Sequence, residues 1–337
     1  MLYKFEFRTY QRKFKRPLQT SHGIWDIREG IILRLIDENG RIGWGEIAPL
    51  SWFGSETFEQ ALDFCQQLPA NISSEMIFGI SAELPACQFG FESACENLSE
   101  IIENSPLAEE KMPKNRCSGL LPAGETALQV LPRLWLEGYR TFKWKIGVAA
   151  IEEELTIFQQ LIAGMDDLAD RQKPLLRLDA NGGLTYSQAK TWLEACDKVK
   201  ATPDLAAQIE FLEQPLPIAQ FQEMVELNAT YATAIALDES AANLDRIQEC
   251  YSQGWRGIFV IKPAIGGSPS QLRKFCQTHK IDAVFSSVFE TKIARQAALN
   301  LATNLSVNNR ALGFGTDSWF DDNQDTWLQH LWQKISQ

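Results

Sequence analysis

The feature that most restricts the fold of this chain is a regular succession of short apolar runs from about residue 115 onward. Each run is followed by a helix-like stretch, and successive runs begin roughly 25 to 35 residues apart, the length of a strand–helix unit. This alternation predicts parallel strands separated by helices. The eight runs are Gly119–Leu121, Thr141–Ile146, Leu175–Asp179, Ile209–Glu213, Ala234–Asp238, Gly257–Ile261, Ala283–Ser286 and Ala311–Gly315.

Strands of this kind and number favour an α/β fold, a (β/α)8-type barrel. A doubly wound open sheet is the alternative fold. No GxGxxG or GxxxxGKS/T pattern follows any of the runs, so the nucleotide-binding versions of either fold have little support.

The first part of the chain has a different pattern, in which strands are followed by helices. Hydrophobic alternation at the N-terminus and a turn signal at Asp37–Gly40 predict an antiparallel sheet, and helical periodicity follows it. The predicted strands are 1–14, 30–36 and 41–46, and the predicted helices are 56–67 and 82–102. This order of elements is typical of an α+β module.

Length and composition limit the class of protein. The chain has 337 residues, enough for about two domains, and its 45% apolar and 22% charged residues are the balance of a globular protein. The formal net charge of -11 argues against a general binder of nucleic acids or anionic membranes, because both need a positive surface. No apolar stretch approaches the roughly 20 residues that cross a bilayer, and the N-terminus does not have the apolar core of a signal peptide.

The cysteines and histidines point to a reduced, cytoplasmic protein. Seven cysteines, an odd number without CxxC spacing, predict buried thiols rather than disulfides or zinc ligands. The three histidines, His22, His279 and His330, are too far apart in the sequence to suggest a histidine-rich metal site. The sequence makes no prediction about the oligomeric state.

Charged residues stand at the ends of five successive apolar runs, where the active sites of (β/α) barrels lie. Alternation along a strand places both lysines of the first of these runs on the same side. The charged residues are Lys143 and Lys145, then Asp179, Glu213 and Asp238, and finally Lys262. A single acidic residue here is more simply explained as a helix cap or a turn residue, and a single lysine as an edge or solvent-facing residue, but the set in register is specific.

Three carboxylates converging on one mouth repel each other unless a cation lies between them. Oxygen ligands without histidine or cysteine fit a hard divalent ion, Mg²⁺ first and Mn²⁺ second. A lysine adjusted by burial and by neighbouring charge can act as a base near neutral pH. The metal would then stabilise an enediolate that forms when a proton is removed next to a carboxylate.

The motifs that contain these residues resemble the enolase superfamily, muconate-lactonizing subgroup, and within it the o-succinylbenzoate synthase family. The resemblance covers nearly the whole chain. Its motifs are GWGEIAPL at Gly43–Leu50, FGFESA at Phe89–Ala94, FKWKIG at Phe142–Gly147, RLDANGG at Arg177–Gly183, EFLEQP at Glu210–Pro215, ALDES at Ala236–Ser240, VIKP at Val260–Pro263 and SSVFET at Ser286–Thr291.

The resemblance implies a (β/α)7β modified barrel at 106–315, covered by an α+β capping domain built from 1–105 and a C-terminal tail of about 316–337. It implies Lys145 as the base that takes the α-proton, with Lys262 facing the other side of the substrate and Lys143 assisting Lys145. The implied Mg²⁺ ligands are Asp179, Glu213 and Asp238. The implied substrate contacts are Arg177, Asn181, Ser286 and Ser287.

The implied reaction is the Mg²⁺-dependent syn dehydration of 2-succinyl-6-hydroxy-2,4-cyclohexadiene-1-carboxylate to 2-succinylbenzoate, in menaquinone or phylloquinone biosynthesis. The implied partner is therefore a small-molecule carboxylate. An N-acylamino acid racemase, a dipeptide epimerase and a muconate-type cycloisomerase share the machinery and stay open as alternatives. The different-class alternative is a catalytically silent barrel that serves as a binding or scaffold protein.

The loop over the predicted site supports the synthase alternative. Pro49–Thr57 is similar to the capping loop of that family, although Ser51-Trp52 replaces the commoner Pro-Gly. Gly313–Thr316 has no Asp-x-Asp that would grip an amino group, which disfavours a dipeptide epimerase. Trp25 and Trp52 are candidates for lining this lid.

Overall fold

The computed structural model describes residues 1–20, 23–99, 112–169, 172–315, 319–320 and 324–333. The described residues form two sheets, an antiparallel sheet of four strands and a parallel sheet of seven. The expected boundary between the cap and the barrel, at 105–106, lies outside the described residues. Among the helices of the described residues, none has both the length and the apolar character that crossing a membrane requires.

The antiparallel sheet contains the N-terminal strands in the order β3-β2-β1-β4. Phe5, Ile31 and Leu33 are buried between this sheet and its helices, as hydrophobic alternation predicts. The strands are β1 (Leu2–Thr20), β2 (Gly23–Ile36), β3 (Ile42–Ile47) and β4 (Asn71–Ser73).

Three helices, α1 (Phe58–Gln67), α2 (Ser74–Phe78) and α3 (Pro85–Ser99), complete this unit. Strand β3 lies so close to α3 that a Cβ atom on Gly43 or Gly45 would be 2.0 Å from a carbonyl oxygen of that helix. The two glycines of the GWGE motif therefore serve the packing of the cap.

The parallel sheet has the order β11-β10-β9-β8-β7-β6-β5, so each strand lies beside its neighbour in the chain. Its strands are β5 (Ser118–Leu121), β6 (Thr141–Lys145), β7 (Leu175–Asp179), β8 (Gln208–Glu213), β9 (Ile235–Leu237), β10 (Ile258–Ile261) and β11 (Ala283–Phe285). The helices that follow these strands in turn are α4 (Thr126–Leu136), α5 (Ile151–Leu168), α6 (Tyr186–Lys200), α7 (Phe221–Thr230), α8 (Leu244–Ser252), α9 (Pro269–His279) and α10 (Lys292–Leu305). This is the expected (β/α)7 arrangement.

The eighth apolar run closes the barrel without forming a regular strand. Leu312 makes a parallel bridge to Cys117, beside β5, and Gly313 makes one to Ser286, just after β11. The expectation of eight equivalent strands is corrected here. Gly313 weakens strand formation, and a Cβ atom on it would lie 2.5 Å from the Ser286 Oγ.

A buried glutamate joins the cap to the barrel. The Glu46 carboxylate on β3 accepts hydrogen bonds from the Tyr10 hydroxyl (2.6 Å) and from the backbone N–H groups of Thr291 (2.9 Å) and Ala294 (3.2 Å), at the start of α10. It thereby neutralises the positive end of a barrel helix with a charge from the cap.

Helix α3 makes a second set of contacts with the barrel. Gln88 and Glu92 accept hydrogen bonds from the backbone N–H groups of Ser268 and Ser270, where α9 begins. Beyond residue 320, helix α11 (Gln324–Gln333) packs against β1. The parts of the expected C-terminal tail at 316–318, 321–323 and 334–337 lie outside the described residues.

Candidate active site

A cavity of about 230 Å³ lies at the carboxyl ends of the barrel strands, beneath the loop that connects β3 to α1. All ten site residues that the sequence predicted line this cavity: Lys143, Lys145, Arg177, Asp179, Asn181, Glu213, Asp238, Lys262, Ser286 and Ser287. The parallel register explains their proximity, since Lys145 pairs with Asp179 and Asp179 pairs with Glu213.

Two of the three lysines are ion-paired with the carboxylates. Lys143 Nζ lies 2.8 Å from Asp179 Oδ2 and 2.7 Å from Glu213 Oε1. Lys262 Nζ pairs with Asp238 Oδ1. Lys145, by contrast, makes no hydrogen bond or ion pair with any residue in the described part of the chain. Its amine faces the cavity without a partner of its own.

Burial and neighbouring charges shift the pKa values of the ionisable groups in the cavity. Burial, followed by repulsion from Asp179, raises the pKa of Glu213 to about 8. Burial and the neighbouring charge of Asp238 raise the pKa of Glu239 to about 7. Burial disfavours the ammonium form of Lys143, but the carboxylates outweigh this effect and raise its pKa. The site therefore holds more buried negative charge than its lysines compensate.

This donor set fits a hard divalent cation in charge and chemistry. The donors are carboxylate oxygens at the ends of three adjacent strands. Burial and then repulsion from Asp179 raise the pKa of Glu213, and a cation would relieve that repulsion. Within the described ranges, no three acidic, histidine or cysteine side chains already surround a common point. The ammonium of Lys143 bridges Asp179 and Glu213 instead, which shows that the space between them suits a positive charge.

Aromatic side chains from the cap and a barrel loop cover the cavity. The rings of Trp25 and Trp52 contact each other edge to face at 5.8 Å, and Trp25 also contacts Phe289 at 5.5 Å. Phe53, in a short 3₁₀ turn, lies 3.9 Å from the Lys262 ammonium. The apolar residues of the lining are Trp25, Leu50, Trp52, Phe53, Leu120, Val260, Val284, Val288 and Phe289. Such a wall suits a carbocyclic ring and its alkyl substituent.

The two serines at the end of β11 differ in their surroundings. The Ser286 hydroxyl donates to the carbonyl oxygen of Gly313 (3.3 Å). The Ser287 hydroxyl donates to Glu290 Oε2 (2.9 Å) and accepts from the N–H of Phe289. Ser287 thus holds the turn in which Phe289 adopts a positive φ of 61°.

Asn181 and Arg177 also have protein partners. Asn181, with φ of 43°, donates its backbone N–H to Asp179 Oδ1 (3.1 Å) and its amide to Glu239 Oε1 (3.3 Å). Arg177 donates through Nε to Glu210 (2.6 Å). Asn181 therefore fixes a carboxylate, and Arg177 extends the charged network towards the interior of the barrel.

Gln214 organises the site although the sequence did not single it out. Its Oε1 accepts from the N–H groups of Asp238 (3.0 Å) and Ser240 (3.1 Å), and its Nε2 donates to the Leu216 carbonyl (2.9 Å). The available signal was its place directly after Glu213 in EFLEQP. Glu239, in the ALDES motif, was missed in the same way, although it lines the cavity.

A cap over a (β/α)7β barrel, with lysines and carboxylates at the strand ends, is the arrangement of the enolase superfamily. Residues 127–330 match the family model "Enolase C-terminal domain-like", and residues 9–98 match "MenC, N-terminal domain". The chain is 38% identical to an o-succinylbenzoate synthase from Thermosynechococcus vestitus, over 99% of this chain and 100% of the relative. A synthase from Edwardsiella ictaluri is 31% identical over 80% of this chain and 79% of the relative.

Solved structures agree with the sequence comparisons. The o-succinylbenzoate synthase from Thermosynechococcus elongatus BP-1, complexed with Mg in its active site, aligns with a TM-score of 0.86 and 37% identity, covering 98% of this chain and 100% of that one. The muconate lactonizing enzyme from Pseudomonas putida aligns with a TM-score of 0.68 and 16% identity, over 96% and 90% of the two chains, and shows the common fold. The chain belongs to the o-succinylbenzoate synthase family of the enolase superfamily.

Proposed function

We propose that this enzyme is a hydro-lyase that dehydrates 2-succinyl-6-hydroxy-2,4-cyclohexadiene-1-carboxylate to 2-succinylbenzoate. The observation that carries the proposal is the full-length similarity to a synthase of that name, in which the cap as well as the barrel takes part. The cavity supports it, since an apolar wall lies opposite the charged floor and can hold the ring of the substrate.

Lys145 is the base of the proposed reaction. Its unpartnered amine takes the α-proton, the ring hydroxyl departs, and Lys145 returns the proton so that the hydroxyl leaves as water. One C–H bond and one C–O bond break on the same face, and the ring becomes aromatic. Lys262 follows β10, four strands along the sheet from the β6 strand that carries Lys145. Its ammonium stabilises the negative charge that develops on the substrate.

Asp179, Glu213 and Asp238 are the proposed ligands of Mg²⁺, for which Mn²⁺ is the proposed substitute. The ion would supply positive charge beside the substrate carboxylate, where negative charge grows as the α-proton leaves. Lys143, which bridges Asp179 and Glu213, would give up part of that bridge with the ion bound, and would then support the substrate carboxylate.

The remaining proposed contacts come from the cavity lining. Arg177, Asn181, Ser286 and Ser287 are polar groups within reach of a ligand in the cavity, with the backbone of the two serines facing the succinyl part. The product serves menaquinone or phylloquinone synthesis in this proposal, and the enzyme works in the cytoplasm, where its seven free thiols stay reduced.

The proposal is tested by offering purified enzyme and Mg²⁺ the cyclohexadiene substrate and following the loss of diene absorbance. We expect kcat/KM of about 10⁴ M⁻¹ s⁻¹ or more, in the ordinary range of enzymes. Product analysis must show one 2-succinylbenzoate for each substrate consumed. Metal-loaded enzyme that leaves the substrate unchanged would contradict the proposal.

Racemisation of N-acylamino acids is the second candidate, because Lys145 and Lys262 stand on different walls of the cavity. Two lysines so placed can exchange an α-hydrogen from either face. An N-succinyl amino acid incubated with the enzyme in D₂O would then acquire deuterium and lose its optical rotation. A larger kcat/KM for this exchange than for dehydration would make racemisation the main activity.

A further inference from the structure

A chain of ion pairs runs from the buried Arg177 to the partly exposed opposite end of the barrel. Arg177 Nε lies 2.6 Å from Glu210 Oε2, and Arg310 Nη1 lies 2.7 Å from Glu210 Oε1. Arg310 also forms a two-bond pair with Asp282, at 2.8 and 2.6 Å. Two guanidinium groups and two carboxylates therefore alternate within the barrel, and their charges balance.

A β-bulge places Glu210 in this chain. Leu176 on β7 pairs with Ile209 on β8, but the next residue, Arg177, pairs with Phe211. Glu210 is therefore an extra residue in β8. Phe211 points into the barrel, where it belongs to an apolar cluster. Strict alternation from Phe211 would point Glu210 outward and Ile209 inward. The bulge turns Glu210 towards Arg177 instead, as bulges beside active sites often redirect a side chain.

Arg177 stands between two cavities. It lines the active-site cavity, whereas Glu210 and Arg310 line a separate cavity of about 700 Å³ at the other end of the barrel. The Arg177 side chain is 2% exposed, and among the described residues its Nη2 atom has no hydrogen-bond partner. A buried guanidinium nitrogen without an acceptor is costly, so an acceptor is expected in the functional complex.

We propose that Glu210 and Arg310 are positioning residues for substrate binding, which act through Arg177. Glu210 holds the Nε edge of Arg177, Arg310 holds Glu210, and the guanidinium is thereby fixed so that its unpartnered Nη2 donor can bind an oxygen of the bound dicarboxylate. The ligand class rests on the proposed function. The positions of Glu210 and Arg310 rest on the bulge and on the ion pairs alone.

The first test compares Glu210→Gln, Arg177→Lys and the double variant. Glu210→Gln keeps the shape of the side chain but loses its charge, and it should raise KM and the Kd for 2-succinylbenzoate about tenfold, with kcat changed by less than about threefold. Because Glu210 acts through Arg177, the double variant should bind the product no more weakly than Arg177→Lys alone. The inference would be overturned if Glu210→Gln bound 2-succinylbenzoate with the wild-type Kd. It would also be overturned if the increases in Kd of the two single variants multiplied in the double variant.

Two further variants separate positioning from general stability. Glu6→Gln removes the charge of an Arg–Glu pair of similar length but greater exposure in the cap, where Arg34 Nε lies 2.7 Å from Glu6, and should leave KM and Kd unchanged. If Glu210→Gln does not fold, Arg310→Gln is the replacement test, because the Arg310 side chain is 19% exposed and its loss disturbs the interior less. This variant should raise Kd about threefold. An unchanged Kd in Arg310→Gln, or a Kd in Glu6→Gln that rises as much, contradicts the inference.

The outcome also distinguishes this inference from the proposed function. A wild-type enzyme without dehydration contradicts the proposed function. A wild-type enzyme that dehydrates, with Glu210→Gln equal to it in KM and Kd, contradicts only the positioning role.

Discussion

Lys145 and Lys143 stand two residues apart on β6, yet their surroundings differ. Lys143 bridges two carboxylates, and Lys145 has no partner in the described part of the chain. In the proposed mechanism, this contrast favours Lys145 as the proton-transfer group and Lys143 as the group that compensates charge. The sequence predicted that both lysines face the cavity, because alternation along one strand is a local property.

Replacing Lys145 by alanine should reduce kcat by about 10³-fold or more, since a positioned base contributes that order of acceleration. The carboxylates keep Lys143 and Lys262, so metal affinity should change by less than a few-fold. Steady-state kinetics with the cyclohexadiene and Mg²⁺ titration of the same variant measure both quantities. Substantial residual turnover would show that another group takes the proton.

Gln214 is a residue whose importance depends on tertiary contacts. Its side chain connects the ends of β8 and β9, so Gln214→Ala should leave the N–H groups of Asp238 and Ser240 without an acceptor and lower the free energy of unfolding by about 2 to 4 kcal/mol. Mg²⁺ affinity should fall with it, because Asp238 loses its support. Urea unfolding and metal titration measure the two effects. Gln253→Ala, on the surface, is the control that should change neither.

At the level of elements, the sequence predicted the seven regular barrel strands to within one residue at each end. Their apolar runs are largely buried, and five of the seven, β6 to β10, end at or directly before a charged residue, so composition marks their bounds. Strand β4 was missed because three residues carry too little pattern. Strand β1 extends to Thr20, past an irregularity that includes Pro17, where alternation is interrupted.

The Glu46 carboxylate on β3 accepts hydrogen bonds from the start of α10. Glu46→Ala should cost about 3 kcal/mol of unfolding free energy, because it leaves buried N–H groups at the start of α10 without an acceptor. Tyr10→Phe removes one hydrogen bond to the same carboxylate and should cost about 1 kcal/mol. Urea unfolding of the two variants side by side measures the difference. Equal stabilities of Glu46→Ala and wild type would mean that the cap is held by other contacts.

For the whole molecule, the sequence supplied the charged set at the strand ends, and the resemblance supplied the arrangement of a cap over a barrel. The bulge at Glu210 could not be predicted, since nothing local distinguishes it from regular alternation. The role of Glu46 at the start of α10 could not be predicted either, because Thr291 and Ala294 lie 245 or more residues away in the chain. Contacts of this range are fixed by folding rather than by neighbouring residues.

Metal binding should stabilise the whole molecule. A ligand at one hundred times its Kd adds about 2.7 kcal/mol to the free energy of unfolding, which for a chain of this size raises Tm by about 4 °C. Thermal unfolding with Mg²⁺ and with EDTA measures the shift. Glu213→Gln should show a much smaller shift, and an equal shift in that variant would place the ion elsewhere.

The central claim is that Lys145 and a divalent ion together dehydrate the cyclohexadiene. The most direct measurement is the initial rate of diene loss for wild type and Lys145→Ala, each with Mg²⁺ and with EDTA. The account predicts rapid loss only for wild type with Mg²⁺, and 2-succinylbenzoate as its product. Rapid loss in Lys145→Ala, or loss in wild type that EDTA does not affect, would contradict it.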